Sequence, residues 1–139
     1  RGVYMKNIFM VGILIISILL TGCSSSNSKW TFSDKDRMIL INDAKAVKEN
    51  FDMYVEKEER GLDYSKELEQ NVELSETAKN NAKEIRNKYD GKLTKEEVSM
   101  LADLSLSYRY LRNKFKSDDD TAIHSIDTLQ EKILRLEEE

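Results

Sequence analysis

Apolar residues recur at alternating steps of four and three in two stretches of this chain, and that spacing constrains its fold more than any other feature. The first stretch contains Leu40, Ala44, Val47, Phe51 and Tyr54. The second stretch contains Ala122, Ile126, Leu129, Ile133 and Leu136. Residues three and four positions apart lie on one face of an α-helix. Each stretch therefore predicts an amphipathic helix with one face to bury.

The two stretches belong to the first and the fourth predicted helix, and two further helices are predicted between them. The first helix of the chain should cover residues 34–60, capped by Ser33 or Asp34 and ended by Gly61. The second should cover residues 64–89, with Ser75 as an alternative cap at which it would break. Its thinner apolar set is Leu68, Val72, Ala78, Ala82, Ile85 and Tyr89.

The third helix should begin at Thr94, because Glu97 completes a capping box and Leu93 and Val98 can form a hydrophobic staple. Its expected buried face is Val98, Leu101, Leu104, Tyr108, Leu111 and Phe115. The fourth helix should follow Ser117-Asp118-Asp119-Asp120, an acidic N-terminal turn. The chain has no proline and 35% charged residues, which also favours helices. The predicted fold is all-α, a small antiparallel bundle of three or four helices within residues 34–139.

The N-terminal part has a different character. Residues 8–20 form an uncharged apolar run after Lys6, shorter than the roughly 20 residues that a membrane-spanning helix needs. The run ends in Leu20-Thr21-Gly22-Cys23. This ending resembles the lipobox of bacterial lipoprotein precursors, and the whole segment resembles their signal peptide. The resemblance implies cleavage between Gly22 and Cys23 and a diacylglyceryl thioether on Cys23.

The resemblance also implies an organisation for the chain. Residues 1–4 precede Met5 and do not fit a signal peptide, so a non-native leader is expected there. Residues 5–22 are the expected signal peptide, and residues 23–33 the lipidated cysteine with a short flexible tether. Trp30 and Phe32 in this tether either rest at lipid headgroups or pack onto the bundle, and the second interpretation is preferred. The expected location is the outer face of the cytoplasmic membrane, or the outer membrane in a host that has one.

The net charge of the chain and the residue types that it contains limit the classes of function that are possible. The net charge of −4 becomes −6 once residues 1–22 are removed, because they hold Arg1 and Lys6 and no acidic residue. An acidic chain is a poor electrostatic match for nucleic acid. His124 is the only histidine, so a two-histidine metal site cannot form within one chain. No cofactor, metal or catalytic residue is expected. The acidic triplet at residues 118–120 lacks EF-hand spacing and is interpreted as a helix cap.

One cluster of cations is a candidate binding face. Arg109, Arg112 and Lys116 are spaced for one side of the third helix, with Tyr108 nearby. Such a stripe can meet phosphate or an acidic protein surface. The alternative is that these cations pair with glutamates on neighbouring helices.

Three classes of function follow from these features. The first is a lipid-anchored interaction module that binds an envelope protein, for example as an exclusion or immunity lipoprotein of a mobile element. The second is a structural or accessory subunit of a membrane complex, or a lipoprotein that binds wall polymer. The third, an enzyme, is not expected.

Overall fold

The computed structural model describes residues 29–138, which form four α-helices. These are α1 (Asp34–Glu59), α2 (Ser65–Lys88), α3 (Lys95–Asn113) and α4 (Asp120–Glu137). Each helix packs against two others, in the pairs α1–α2, α2–α3, α3–α4 and α4–α1. Ion pairs such as Lys88–Asp36 and Arg135–Glu96 join the end of one helix to the start of its neighbour. The fold is therefore an antiparallel four-helix bundle, as the sequence predicted.

The core of the bundle follows the two regular apolar seams. All five seam residues of α1 and all five of α4 are buried. Burial of large aliphatic side chains contributes about 1.5–3 kcal/mol each. The α1 and α4 seams face α2 and α3, which add Ala78, Ala82, Ile85, Leu104 and Leu111. One continuous core thus connects all four helices.

The predicted ends of α1 are confirmed. The Ser33 side chain accepts a hydrogen bond from the Asp36 backbone N–H at 3.1 Å and caps the helix. At the other end Gly61 has a φ of +66°, a conformation that glycine adopts without a steric penalty. The backbone N–H groups of Gly61 and Leu62 donate to the carbonyls of Glu58 and Lys57. This pattern is a Schellman motif, which stops the helix.

The prediction for α2 was partly wrong. The helix runs through Ser75 without a break, and Ser75 is buried. Leu68 and Val72, expected to face the core, are 39% and 48% exposed. Glu67 and Asn71 are buried in their place. The N-terminal half of α2 therefore turns a polar stripe inward and an apolar stripe outward.

The start of α3 is confirmed and its end is corrected. The Thr94 side chain accepts from the Glu97 N–H, and the Glu97 carboxylate accepts from the Thr94 N–H at 2.8 Å. Val98 is 37% exposed rather than buried. The helix ends at Asn113, because Lys114 is extended with a φ of −162°. Phe115 and Lys116 therefore lie in the α3–α4 connection (residues 114–119).

The segment before α1 closes one end of the bundle. Trp30 and Phe32 are buried and stack with their ring centroids 5.4 Å apart. The Thr31 N–H donates to Glu97 at 2.5 Å, and the Ser33 N–H donates to the Tyr89 hydroxyl at 3.0 Å. The preferred interpretation of Trp30 and Phe32 is thereby confirmed, and residues 29–33 of the expected tether belong to the folded part.

Three predictions concern residues beyond those described. The signal peptide (residues 5–22) and Cys23 lie outside residues 29–138, as do residues 1–4. Within the described helices, none is long and apolar enough to cross a membrane.

Candidate functional site

The outer surface along the seam between α2 and α3 concentrates the unusual features of the bundle. On α2 its residues are Leu68, Val72, Glu76, Lys79, Lys83 and Arg86. On α3 and the connection they are Ala102, Ser105, Leu106, Arg109, Arg112, Lys114, Phe115 and Lys116. Steps of three and four place each helical set on one side of its helix. Together they form what we call the α2/α3 face.

One end of this face is a cleft with an apolar floor. Leu68, Val72 and Phe115 line it together with the cations Arg112, Lys114 and Lys116 and one acidic residue, Asp119. We call it the distal cleft, since it lies at the opposite end of the bundle from Trp30; its volume is about 520 Å³. The surface combines exposed aliphatic side chains with a basic rim.

Aromatic packing holds the connection that supplies this rim. The Phe115 ring lies 5.2 Å from the Phe51 ring and 5.0 Å from the Tyr54 ring, centroid to centroid. Burial, together with the charge of Glu58, raises the pKa of Tyr54 to about 12. Tyr54 therefore stays neutral at physiological pH, and Phe115 is held against a neutral aromatic cluster. Lys114 and Lys116 flank this anchored residue.

The rest of the face is a basic groove. Its lining includes the cations Lys79, Lys83, Arg86 and Arg109, and no acidic residue from the described range 29–138. Its volume is about 500 Å³, with the small residues Ala102 and Ser105 among its lining. Leu106 also lines it and is 66% exposed. The groove therefore offers positive charge beside an exposed aliphatic side chain.

Only some of these cations are neutralised within the protein. Glu76 lies 3.0 Å from Lys79 and 2.7 Å from Arg112. The hydrogen bond from Lys79, reinforced by the charge of Arg112, lowers the pKa of Glu76. Among residues 29–138, five cations of the face have no ion pair: Lys83, Arg86, Arg109, Lys114 and Lys116. The basic character of the face therefore rests mainly on these five side chains.

Buried polar groups explain why α2 is rotated in this way. The Asn71 amide donates to the backbone carbonyl of Leu111, near the end of α3. That carbonyl is one of the last four in its helix and has no intrahelical donor. The Asn50 amide likewise donates to the Glu67 carbonyl at 2.9 Å. The first bond satisfies the Leu111 carbonyl and the second satisfies the buried Asn50 amide, and both favour the inward orientation of the polar stripe of α2.

A salt bridge reinforces the same rotation. The Lys57 ammonium lies 2.5 Å from the Glu67 carboxylate, whose side chain is 1% exposed. The hydrogen bond from Lys57 lowers the pKa of Glu67. Glu67 is therefore ionised at neutral pH and fixed to α1. Leu68 and Val72, next to this stripe, are left facing solvent.

The four residues predicted as a binding face have different positions. Arg109 and Arg112 are exposed on α3, and Lys116 lies in the connection but lines the distal cleft with Arg112. Pairing with a glutamate, the alternative to a binding role, holds for Arg112 only. Tyr108 was wrongly included, because it is fully buried in the core. Desolvation and the charge of Asp43 raise its pKa.

The sequence interpretation missed the contribution of α2. Lys79, Lys83 and Arg86 follow one another at steps of four and three, which is the spacing that singled out the α3 cations. The missing information was that this stripe lies beside α3, which only the packing of the helices supplies.

The other residues considered from the sequence as possible ligands do not form a site on the α2/α3 face. Asp119 caps α4 by accepting from the Thr121 N–H at 2.8 Å, so the cap interpretation of the acidic triplet is confirmed for this residue. His124 is exposed on α4. No group of three or more histidine, cysteine or acidic residues within residues 29–138 could hold a metal ion.

A groove between α1 and α2 has the opposite character. Asp43, Glu49 and Glu73 line it with Met53 and Leu74, and no cation does. The hydrogen bond from Asn81 does not offset the burial that raises the pKa of Asp43. The basic lining of the α2/α3 face therefore has no counterpart in the groove between α1 and α2.

Comparisons with known proteins add no assignment: the chain matches no family model, no curated protein and no solved structure.

Proposed function

We propose that this protein is a lipid-anchored bacterial envelope protein whose helical bundle is an interaction module, with the α2/α3 face as its contact surface. Lipid anchoring rests on the Leu20-Thr21-Gly22-Cys23 ending. The observation that supports this contact surface is the exposure of Leu68 and Val72 beside five unpaired cations. Exposed apolar groups next to unpaired charge are typical of recognition surfaces, where aliphatic side chains and rim cations act together.

The position of the face suits this function. The chain enters the bundle through Lys29 to Ser33, at the end formed by the start of α1 and the end of α4. The distal cleft, with Leu68 and Phe115, lies at the other end. In a protein held by lipid at Cys23, the cleft would point away from the membrane. A partner in the envelope would then reach it without displacing lipid.

The second function considered, an accessory subunit that binds wall polymer, would use the same cations. Polymer phosphates pair well with Lys83, Arg86 and Arg109. They would leave the apolar floor of the distal cleft without a contact, which favours a protein partner. An exclusion or immunity role is one setting for such a module, and mobile-element genes alongside its own gene would support that setting.

The anchor is tested by metabolic labelling with a fatty-acid analogue. Wild type should be labelled and cleaved, and Cys23→Ala should be neither. Equal labelling of the two proteins would contradict lipidation at Cys23, because no other cysteine exists in the chain.

The contact surface is tested by site-specific photocrosslinking in the host envelope. A photoreactive residue is placed at Val72, at Lys83 or at Leu134, which is 55% exposed on α4 and serves as the control. We expect Val72 and Lys83 to give one common crosslinked protein that Leu134 does not give. The same product from all three positions, or from Leu134 alone, would reject the α2/α3 face as the contact surface.

A further inference from the structure

We propose that the α2/α3 face binds an acidic amphipathic α-helix of another protein. This inference rests on the proposed function, because it names the occupant of the same contact surface. It follows from the shape of the groove, from the positions of apolar and charged residues along it, and from the poorer fit of other occupants.

The shape of the face suits a helix. Two antiparallel helices flank the groove, as in helix-in-groove recognition. From Leu68 to Arg86 the face follows α2 for about 27 Å, at 1.5 Å per residue. A helix of about 18 residues has the same length. Ala102 and Ser105 are small side chains in the groove, which lets another backbone approach closely.

Apolar and cationic residues are unevenly distributed along the face. Leu68, Val72 and Phe115 supply apolar side chains at one end, where Lys114, Lys116 and Asp119 also line the distal cleft. Beyond the Glu76–Arg112 pair, Lys83 and Arg86 continue as unpaired cations. A complementary helix carries aliphatic residues at one end and carboxylates along the same side of the remaining turns. Leu106 provides an apolar contact within the basic part.

Other occupants fit less well. A phosphate polymer has no apolar part for the distal cleft. A second copy of this chain does carry an exposed acidic and apolar stripe, formed by Ile123, Asp127 and Leu134 on α4. Docking α4 of one copy on the α2/α3 face of another is a heterologous contact, which extends into open chains unless the rotation closes a ring. The proposal therefore commits to a different protein.

Peptide binding measured by fluorescence anisotropy tests the occupant. The protein is the full chain in phosphatidylcholine nanodiscs, with empty nanodiscs as the blank. The probe is a labelled synthetic helix of about 18 residues with two leucines at one end and glutamates on the same side. A second peptide has the same composition but the leucines at its centre. We expect the first to bind more tightly and to weaken as salt rises.

Paired substitutions locate the binding. Lys83→Glu with Arg86→Glu should weaken binding of the first peptide at least about tenfold. The control Lys35→Glu with Lys92→Glu changes the net charge equally at exposed positions outside the face and should leave binding within about twofold. If the charge-reversed variant does not fold, Lys83→Gln with Arg86→Gln replaces it.

A second pair tests the apolar end. Leu68→Ser with Val72→Ser should weaken the first peptide several-fold and abolish its advantage over the second. The control Ile123→Ser with Leu134→Ser removes a similarly exposed apolar pair from α4 and should change neither. Equal effects of face and control variants would overturn the proposal.

Two results would assign the face to another occupant. Inorganic polyphosphate that binds more tightly than the peptide, unaffected by Leu68→Ser with Val72→Ser, would identify a polymer site. Concentration-dependent self-association that is abolished by Lys83→Glu with Arg86→Glu would identify a second copy. Either result would reject the acidic helix while leaving the crosslinks at Val72 and Lys83 to decide the proposed function independently.

Discussion

The inner faces of α4 and of the N-terminal half of α2 follow opposite rules. On α4 every residue of the apolar seam is buried, including Leu129 and Ile133. On α2 the buried residues are Glu67, Asn71 and Ser75, while Leu68 and Val72 face solvent. The buried residues of α4 are mainly apolar, so the apolar periodicity of the sequence predicts which side of this helix faces the core. The inner side of α2 instead meets the Leu111 carbonyl at the end of α3, and hydrogen bonding to it competes with apolar burial.

The comparison predicts that α4 contributes most to stability through packing. Leu129→Ala should lower the free energy of unfolding of residues 29–138 by about 2–5 kcal/mol, because it leaves a cavity in the core. Urea unfolding measures this difference. Leu134→Ala, on the exposed side of the same helix, should change it by less than about 0.5 kcal/mol. Equal effects of the two substitutions would mean that α4 is not oriented by its seam.

The polar inner face of α2 should contribute less, but measurably. Asn71→Ala removes the donor to the Leu111 carbonyl and leaves that buried group unsatisfied, which costs about 1–3 kcal/mol. The same urea experiment applies. Asn87→Ala, at an exposed position of α2, is the matched control and should be nearly neutral. If Asn71→Ala proves neutral too, hydrogen bonding does not set the rotation of α2.

The salt bridge on that face should make stability depend on pH. The folded pKa of Glu67 lies below its ordinary value of 4.5 because of Lys57. Its contribution is therefore complete above pH 4.5 and is lost as the pH falls through the folded value. Glu67→Gln should make the acid-side decline of the unfolding free energy shallower. Asp36, whose pKa is lowered chiefly by Lys88, should sustain a residual slope.

A matched substitution distinguishes the Lys57–Glu67 pair from the other carboxylates that make the free energy of unfolding depend on pH. Lys57→Met removes the cause of the Glu67 shift and leaves the buried carboxylate without a partner, so burial raises its pKa and the decline should flatten at least as much as with Glu67→Gln. A decline unchanged by both substitutions would show that the pair does not stabilise the folded state.

Much of the fold was predictable from local signals. Alternating apolar steps gave α1 and α4, and cap chemistry gave the starts at Ser33 and Thr94. These signals act within one or two turns of chain, so they survive any arrangement of the helices. The end of α3 carried no such signal, and Phe115 was placed on the helix because it continued the apolar spacing.

The rotation of α2 was open to prediction but was missed. From Val72 to Ala78 the proposed apolar set jumps six residues, which turns the helix by about 600° and places the two about 120° apart. Steps of four and three instead connect Ala78 back to Ser75, Asn71 and Glu67. The polar character of these residues argued against burial, and the carbonyl that Asn71 satisfies belongs to α3. The candidate site depends on this long-range contact, so of its cations the sequence predicted only Arg109, Arg112 and Lys116.

Thiol accessibility tests the inverted face of α2 most directly. Residues 29–138 contain no cysteine, so Val72→Cys and Ser75→Cys can each be labelled without background. We predict that the thiol at position 72 reacts in the folded protein nearly as fast as in the unfolded one, while the thiol at position 75 is strongly protected. Protection at position 72 with rapid labelling at position 75 would contradict the inverted orientation and, with it, the α2/α3 face as a binding surface.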